Sequence, residues 1–161
     1  MASGDFKILD QASLMGRGSR IYNVGAGATA ILAGEPVSRV LGGITVTAMS
    51  TNKPVVTTDY LAGIAATNST QTASAAGTVA VFPINSSTTY LVSPNVAASW
   101  DTQAEYDALV GKRVLIDLTS GSYTVLATDS ANNGLIIMPL DISKYPGKIA
   151  VVFRQAVSDV A

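Results

Sequence analysis

The chain has 161 residues, of which 48% are hydrophobic and only 13% are charged. It contains no histidine and no cysteine, which excludes Ser-His-Asp and Cys-His catalytic sites, histidine or cysteine zinc sites and disulfide frameworks. Ten basic residues against eleven acidic ones give a net charge of −1, so the chain has no general attraction to nucleic acid or to an anionic membrane.

The first 23 residues show no sustained helical or strand period, and we expect residues 1–23 to form an extended N-terminal arm. The segment lacks the basic start and long apolar run of a signal peptide, so secretion by the general route is not expected. Arginines in the arm fit an acidic patch on a partner protein, and its apolar side chains fit grooves. The candidate contact residues are Met15, Arg17, Arg20, Ile21 and Tyr22.

Residues 24–58 are predicted to form a separate β segment built from small residues. Alanines alternate with other residues over 26–32, and Gly34-Glu35-Pro36 marks a turn. Residues 37–41 resume the strand pattern, and the β-branched run at 44–48 predicts a second strand.

Residues 59–161 carry the strongest strand pattern. Seven short runs of β-branched and aromatic residues are separated by Gly, Asn and Pro, which is typical of a small antiparallel β-barrel or sandwich. The polar stretch 67–77 is predicted to be an exposed loop. The predicted strands are 60–66, 78–84, 88–92, 113–119, 123–127, 135–140 and 148–154.

One short helix is predicted between two of these strands. Thr102 and Glu105 have the spacing of a capping box, and Gly111 stands where helices commonly end. Tyr106 and Leu109 lie on one apolar face, so we expect the helix to plug one end of the barrel with both side chains in the core. The predicted fold is therefore mainly β, with one inserted helix and an extended N-terminal arm.

The sequence predicts no catalytic residues, no cofactor-binding residues and no metal site. The glycine-rich segment 25–30 lacks the third glycine and the following helix of a dinucleotide-binding loop. The acidic cluster at 101–107 coincides with the capped helix, where carboxylates offset the helix dipole. Without histidine, a serine nucleophile would need a lysine base, but Ser143 and Lys144 are adjacent and diverge along an extended chain.

Several segments resemble the capsid decoration (cement) proteins of tailed bacteriophages. Residues 23–38, with Ala-Gly-Glu-Pro-Val within them, resemble the opening of these proteins, and 106–118, 122–126 and 147–154 are similar to their β-barrel half. The resemblance implies a non-enzymatic virion protein on the capsid exterior, made in the host cytoplasm. It would bind neighbouring subunits of the major capsid protein as a homotrimer and stabilise the shell.

The composition is compatible with this class and with one alternative. Many apolar residues and few charges indicate either a well-filled core or apolar surface covered in an assembly. A phage tail, fibre or surface-adhesion module that recognises a host glycan or protein is the alternative function, with loop 67–77 as its binding loop. Neither function requires a nucleic-acid or membrane partner.

Overall fold

The structure is a computed structural model that describes residues 7–8, 18–39, 43–56, 58–84, 86–95, 100–119, 121–126 and 128–157. It is mainly β, as predicted. The strands are β1 (Lys7–Ile8), β2 (Arg20–Val24), β3 (Pro36–Arg39), β4 (Thr45–Ala48), β5 (Tyr60–Ala65), β6 (Gly77–Phe82), β7 (Tyr90–Pro94), β8 (Arg113–Thr119), β9 (Ser122–Leu126), β10 (Leu135–Met138) and β11 (Ile149–Phe153). Helix α1 (Gln103–Asp107) lies between β7 and β8, and a 3-10 turn (Gln155–Val157) follows β11.

The strands form two closed barrels of five strands each, which confirms the predicted barrel architecture. The N-barrel has the order β2-β4-β3-β5-β6, and the C-barrel has the order β7-β11-β10-β8-β9, closed by pairing of β9 with β7. Pairing is antiparallel except between β2 and β4 and between β7 and β9. The predicted segments 24–58 and 59–161 divide the chain differently, because β5 and β6 close the N-barrel.

Two described parts of the predicted arm, residues 7–8 and 20–23, pair with strands of the barrels. Lys7 lies opposite Leu91 and Ile8 lies opposite Tyr90, so β1 extends the C-barrel sheet beside β7. Residues 20–23 belong to β2, whose alternation sends the side chains of Tyr22 and Val24 into the N-barrel. The barrel therefore begins before residue 24, because this alternation buries one face of β2.

The two barrels have the same topology. In each, the first strand pairs with the third in parallel and with the fifth in antiparallel orientation. The second strand pairs with the third and the fourth, and the fourth pairs with the fifth. The chain is therefore a tandem repeat of one barrel unit.

The repeat extends to individual hydrogen bonds at the start of the second strand. The N–H of Gly34 donates to the carbonyl of Ala65 at 2.8 Å, and that of Gly111 donates to Ile137 at 2.9 Å. Both glycines have positive φ, +89° and +86°, a conformation that favours glycine because it has no Cβ. The two units thus use the same backbone turn.

A single large apolar core joins the barrels. A smaller cluster fills the N-barrel, but the cluster that fills the C-barrel also includes Met49, Leu61 and Ile64 of the N-terminal half. Strand β5 is buried on both sides, since Ala62 and Ala65 belong to the smaller cluster. Burial of a side chain such as Leu61 contributes about 1.5–3 kcal/mol to the free energy of folding. Separating the barrels would expose these side chains and is therefore unfavourable.

The connection between β4 and β5 adds backbone pairing between the barrels. The N–H of Ile116 in β8 donates to the carbonyl of Lys53 at 2.6 Å, and the N–H of Val56 donates to Asn132 at 2.7 Å. Strand β10 begins only at Leu135, opposite Val114. Lys53 therefore supplies the pairing with β8 that the shorter β10 does not reach.

Helix α1 closes one end of the C-barrel, as predicted, but it is shorter than the sequence suggests. Thr102 and Glu105 form the predicted capping box, and Tyr106 is fully buried. The helix ends at Asp107, because the chain turns at the following residues to reach β8. Leu109 lies in this turn and is only partly buried against the large core.

Residues 25–35 form a loop over one end of the N-barrel, whereas the alternation over 26–32 predicts a strand there. Residues 27–33 bond to residues 68–72, for example from the N–H of Gly27 to the carbonyl of Thr72 at 2.9 Å, and only Gly34 and Glu35 pair with a strand, at Ala65 of β5. Within this loop only Ile31 fully buries a large side chain. The alanine alternation therefore reflects close packing of two loops, not a β ladder.

Candidate partner-binding surface

The structure describes three of the five predicted contact residues. Met15 and Arg17 lie outside the described residues. Arg20 and Ile21 are exposed at the start of β2, Ile21 to 67%. Tyr22 is buried in the N-barrel core, so its side chain packs within its own chain and is not available to a partner's groove.

Ile21 belongs to an outward-facing sheet surface without charge. Six outward residues of β2, β4 and β6 are apolar or neutral: Ile21, Asn23, Thr45, Thr47, Thr78 and Ala80. Ile44, directly before β4, is 65% exposed, and its carbonyl accepts a hydrogen bond of 2.9 Å from the N–H of Asn23. By the alternation of β4 it lies on the side of Val46, opposite to that of Ile21. We call the exposed pair Ile21 and Ile44, with the adjacent edge of β2, the β2 edge.

Ile44 was missed by the sequence analysis as a contact candidate. It is the first residue of the predicted strand 44–48, but β4 begins only at Thr45. The signal available was the Gly42-Gly43 pair directly before it, which breaks the alternation and places the isoleucine at a strand end.

A groove of about 440 Å³ lies between the two barrels. Its described lining is mostly small or apolar: Ala28, Thr29, Ala30, Glu35, Thr47, Ala48, Met49, Ser50, Leu118, Gly121 and Tyr123. Glu35 is the one charged residue in that lining, and its carboxylate accepts a hydrogen bond of 2.9 Å from the N–H of Leu32. The groove can accept an apolar group, but its lining offers no set of converging polar side chains.

Loop 67–77 is exposed, as predicted, and it is firmly bonded to the loop at 25–35. The hydroxyl of Ser69 accepts a hydrogen bond of 2.8 Å from the N–H of Ile31, and Asn68 accepts one of 2.9 Å from Ala33. Gly77 lets loop 67–77 fold back closely on itself, since a Cβ there would lie 2.1 Å from the backbone nitrogen of Gln71. The two loops form an ordered, uncharged polar surface.

The shifted titrating groups belong to caps and turns. Hydrogen bonds from Thr102 lower the pKa of Glu105, and the backbone N–H of Arg113 lowers the pKa of Asp129. The hydroxyl of Ser143 lowers the pKa of Asp141, and burial raises the pKa of Tyr106. Each of these groups stabilises local backbone structure.

The described residues contain no group of three or more acidic side chains arranged to hold a metal ion. Among them, no helix has the length and apolar character needed to cross a bilayer.

Comparison with known proteins gives no relative. No protein-family model, curated protein or solved structure matches the chain.

Proposed function

We propose that this protein is a non-enzymatic structural virion protein that binds the outer surface of a phage capsid. It bridges neighbouring major capsid subunits as a homotrimer and stabilises the shell. The observation that carries the proposal is the β2 edge, where Ile21 and Ile44 are exposed and Ile21 lies on an uncharged sheet face. Large exposed apolar side chains at a strand edge that lacks a partner strand are suited to contact with another protein chain.

The joined barrels support the bridging role. A protein that holds two subunits together must transmit force between its contact surfaces, and the shared apolar core with the backbone bond from Ile116 to Lys53 makes the two barrels one body. The resemblance of residues 23–38 and 106–118 to decoration proteins points to the same role.

Co-sedimentation with expanded empty capsids tests the proposal. The variant Ile21→Asp/Ile44→Asp should lose capsid binding whether the β2 edge contacts the capsid or joins the copies of the trimer, whereas Ala75→Asp, an exposed change in loop 67–77, should retain it. Binding of the wild-type protein to cells or glycans and to no capsid would instead favour the adhesion module, for which the ordered surface of loop 67–77 is the candidate site.

A further inference from the structure

One edge of β7 in the C-barrel is covered by two different segments. Strand β9 lies opposite Ser93 and Pro94, and β1 lies opposite Tyr90 and Leu91. Strand β1 therefore continues this side of the sheet beyond the first residues of β9.

The N-barrel has the equivalent edge. Asn23 lies opposite Thr45 across the parallel pair of this barrel, as Ser93 lies opposite Thr124 in the other. Ile21, two residues before Asn23, is therefore equivalent to Leu91. Within the described residues, no strand covers Ile21 on the side of β4.

The backbone of Ile21 is oriented to accept a strand on this side. The N–H of Asn23 donates towards β4, to the carbonyl of Ile44. Because N–H and C=O groups alternate in direction along a strand, Ile21 directs its own pair of groups the same way. An unpaired strand edge flanked by exposed isoleucines is suited to the addition of an extended segment.

We propose that the β2 edge binds the N-terminal segment of a second copy of this chain as an added antiparallel strand, with Lys7 of one copy opposite Ile21 of the next. The equivalent edge of the C-barrel already binds this segment, in the register of Lys7 opposite Leu91. The segment's sequence, Asp-Phe-Lys-Ile-Leu-Asp at 5–10, offers apolar side chains for Ile21 and Ile44. Asp10 would then lie diagonal to the exposed Arg20, at a distance that a long side chain spans.

Each chain has two equivalent edges and one such segment. The segment therefore has two alternative sites, β7 of its own chain and β2 of a neighbour, and the second is favoured as protein concentration rises. The contact is heterologous, since residue 7 of one copy meets residue 21 of the next. Heterologous contacts form a ring where the rotation between copies closes and an open filament where it does not; a closed ring of three copies is a trimer that needs no capsid.

Locking the segment in its own chain tests the proposal. The chain contains no cysteine, so the double variant Lys7→Cys/Leu91→Cys should form an intramolecular disulfide between two directly opposed residues. Sedimentation velocity should show the oxidised protein as a monomer and the reduced protein as a concentration-dependent oligomer. Equal association of the two forms, or a monomer in both at all concentrations, overturns the proposal.

Mixed disulfides identify the receiving edge. Lys7→Cys protein mixed with Ile21→Cys protein should give several-fold more heterodimer than Lys7→Cys mixed with Ala75→Cys, which is equally exposed on a distant loop. Predominant Ile21→Cys homodimers would show pairing of two β2 edges and overturn the proposal. If Ile21→Cys crosslinks only to capsid protein in assembled particles, the β2 edge binds a strand of another protein, and this result would also overturn the proposal.

Discussion

The hydroxyl of Tyr123 in β9 donates a hydrogen bond of 2.8 Å to the carbonyl of Met49, the residue that follows β4. Both residues are almost completely buried and belong to the large core. This bond ties the β8–β9 hairpin of the C-barrel to the N-barrel. The equivalent residue in the N-barrel is Ile44, which is exposed.

Removal of this hydroxyl should destabilise the whole protein. Tyr123→Phe leaves the buried carbonyl of Met49 without its donor, and we expect a loss of about 1–3 kcal/mol in the free energy of unfolding. Urea denaturation measures the loss. Tyr145→Phe is the matched control, since its hydroxyl makes no hydrogen bond to any described residue and the side chain is half-buried. Equal stability of the two variants would contradict the importance of the bond.

The contact between Gly134 and Pro54 should tolerate no side chain. A Cβ at Gly134 would lie 2.5 Å from the carbonyl oxygen of Pro54 and 2.6 Å from its ring. Gly134→Ala must therefore displace the connection between the barrels, at a cost of about 1–3 kcal/mol. Gly25→Ala is the control, because a Cβ there meets nothing within 4 Å. Thermal unfolding of both variants tests the prediction, and similar midpoints would contradict it.

The sequence predicts the strands well where hydrophobic alternation is local. Strand β8 was predicted with its observed bounds, and the capping box of α1 was identified from Thr102 and Glu105. Closure of the N-barrel was not predictable in this way, because it depends on the parallel pairing of β2 with β4 across about twenty residues. The short β2 carries only two inward side chains, Tyr22 and Val24.

The candidate surface depends on the repeat, which the sequence shows only weakly. Leu32 and Gly34 correspond to Leu109 and Gly111, and the Thr-Val pairs at 45–46 and 124–125 correspond as well. Insertions of different length separate these short matches, so no fixed period appears. The exposure of Ile44 and the unpaired edge at Ile21 depend on which segments pack against each barrel. Such contacts join residues far apart in the sequence, so a local pattern does not predict them.

Loss of the helix cap should alter stability and its dependence on pH. Thr102→Ala removes the hydroxyl hydrogen bond that is the largest cause holding the pKa of Glu105 below its ordinary value of 4.5, and loss of such a cap costs about 1 kcal/mol at neutral pH. A lowered folded-state pKa gives stability that is present above the ordinary value and lost as pH falls through the folded one. The variant's stability should therefore fall less on acidification than the wild type's. NMR titration of the Glu105 carboxyl should show a raised pKa, and an unchanged pKa would contradict this account.

The equivalent turns of the two barrels should respond alike to substitution. Gly34 and Gly111 share a positive φ and the same hydrogen bond to the fourth strand. Alanine at either position should cost about 1–2 kcal/mol, because its Cβ disfavours this conformation. Asparagine at Gly111 should cost less than alanine, since asparagine adopts positive φ more readily and a Cβ there meets no atom within 4 Å. Urea unfolding of Gly34→Ala, Gly111→Ala and Gly111→Asn measures the three costs, with Gly25→Ala as the unstrained control. A large loss of stability for one of the two alanine variants and none for the other would contradict this prediction, because the same turn would then differ in energetic importance between the barrels.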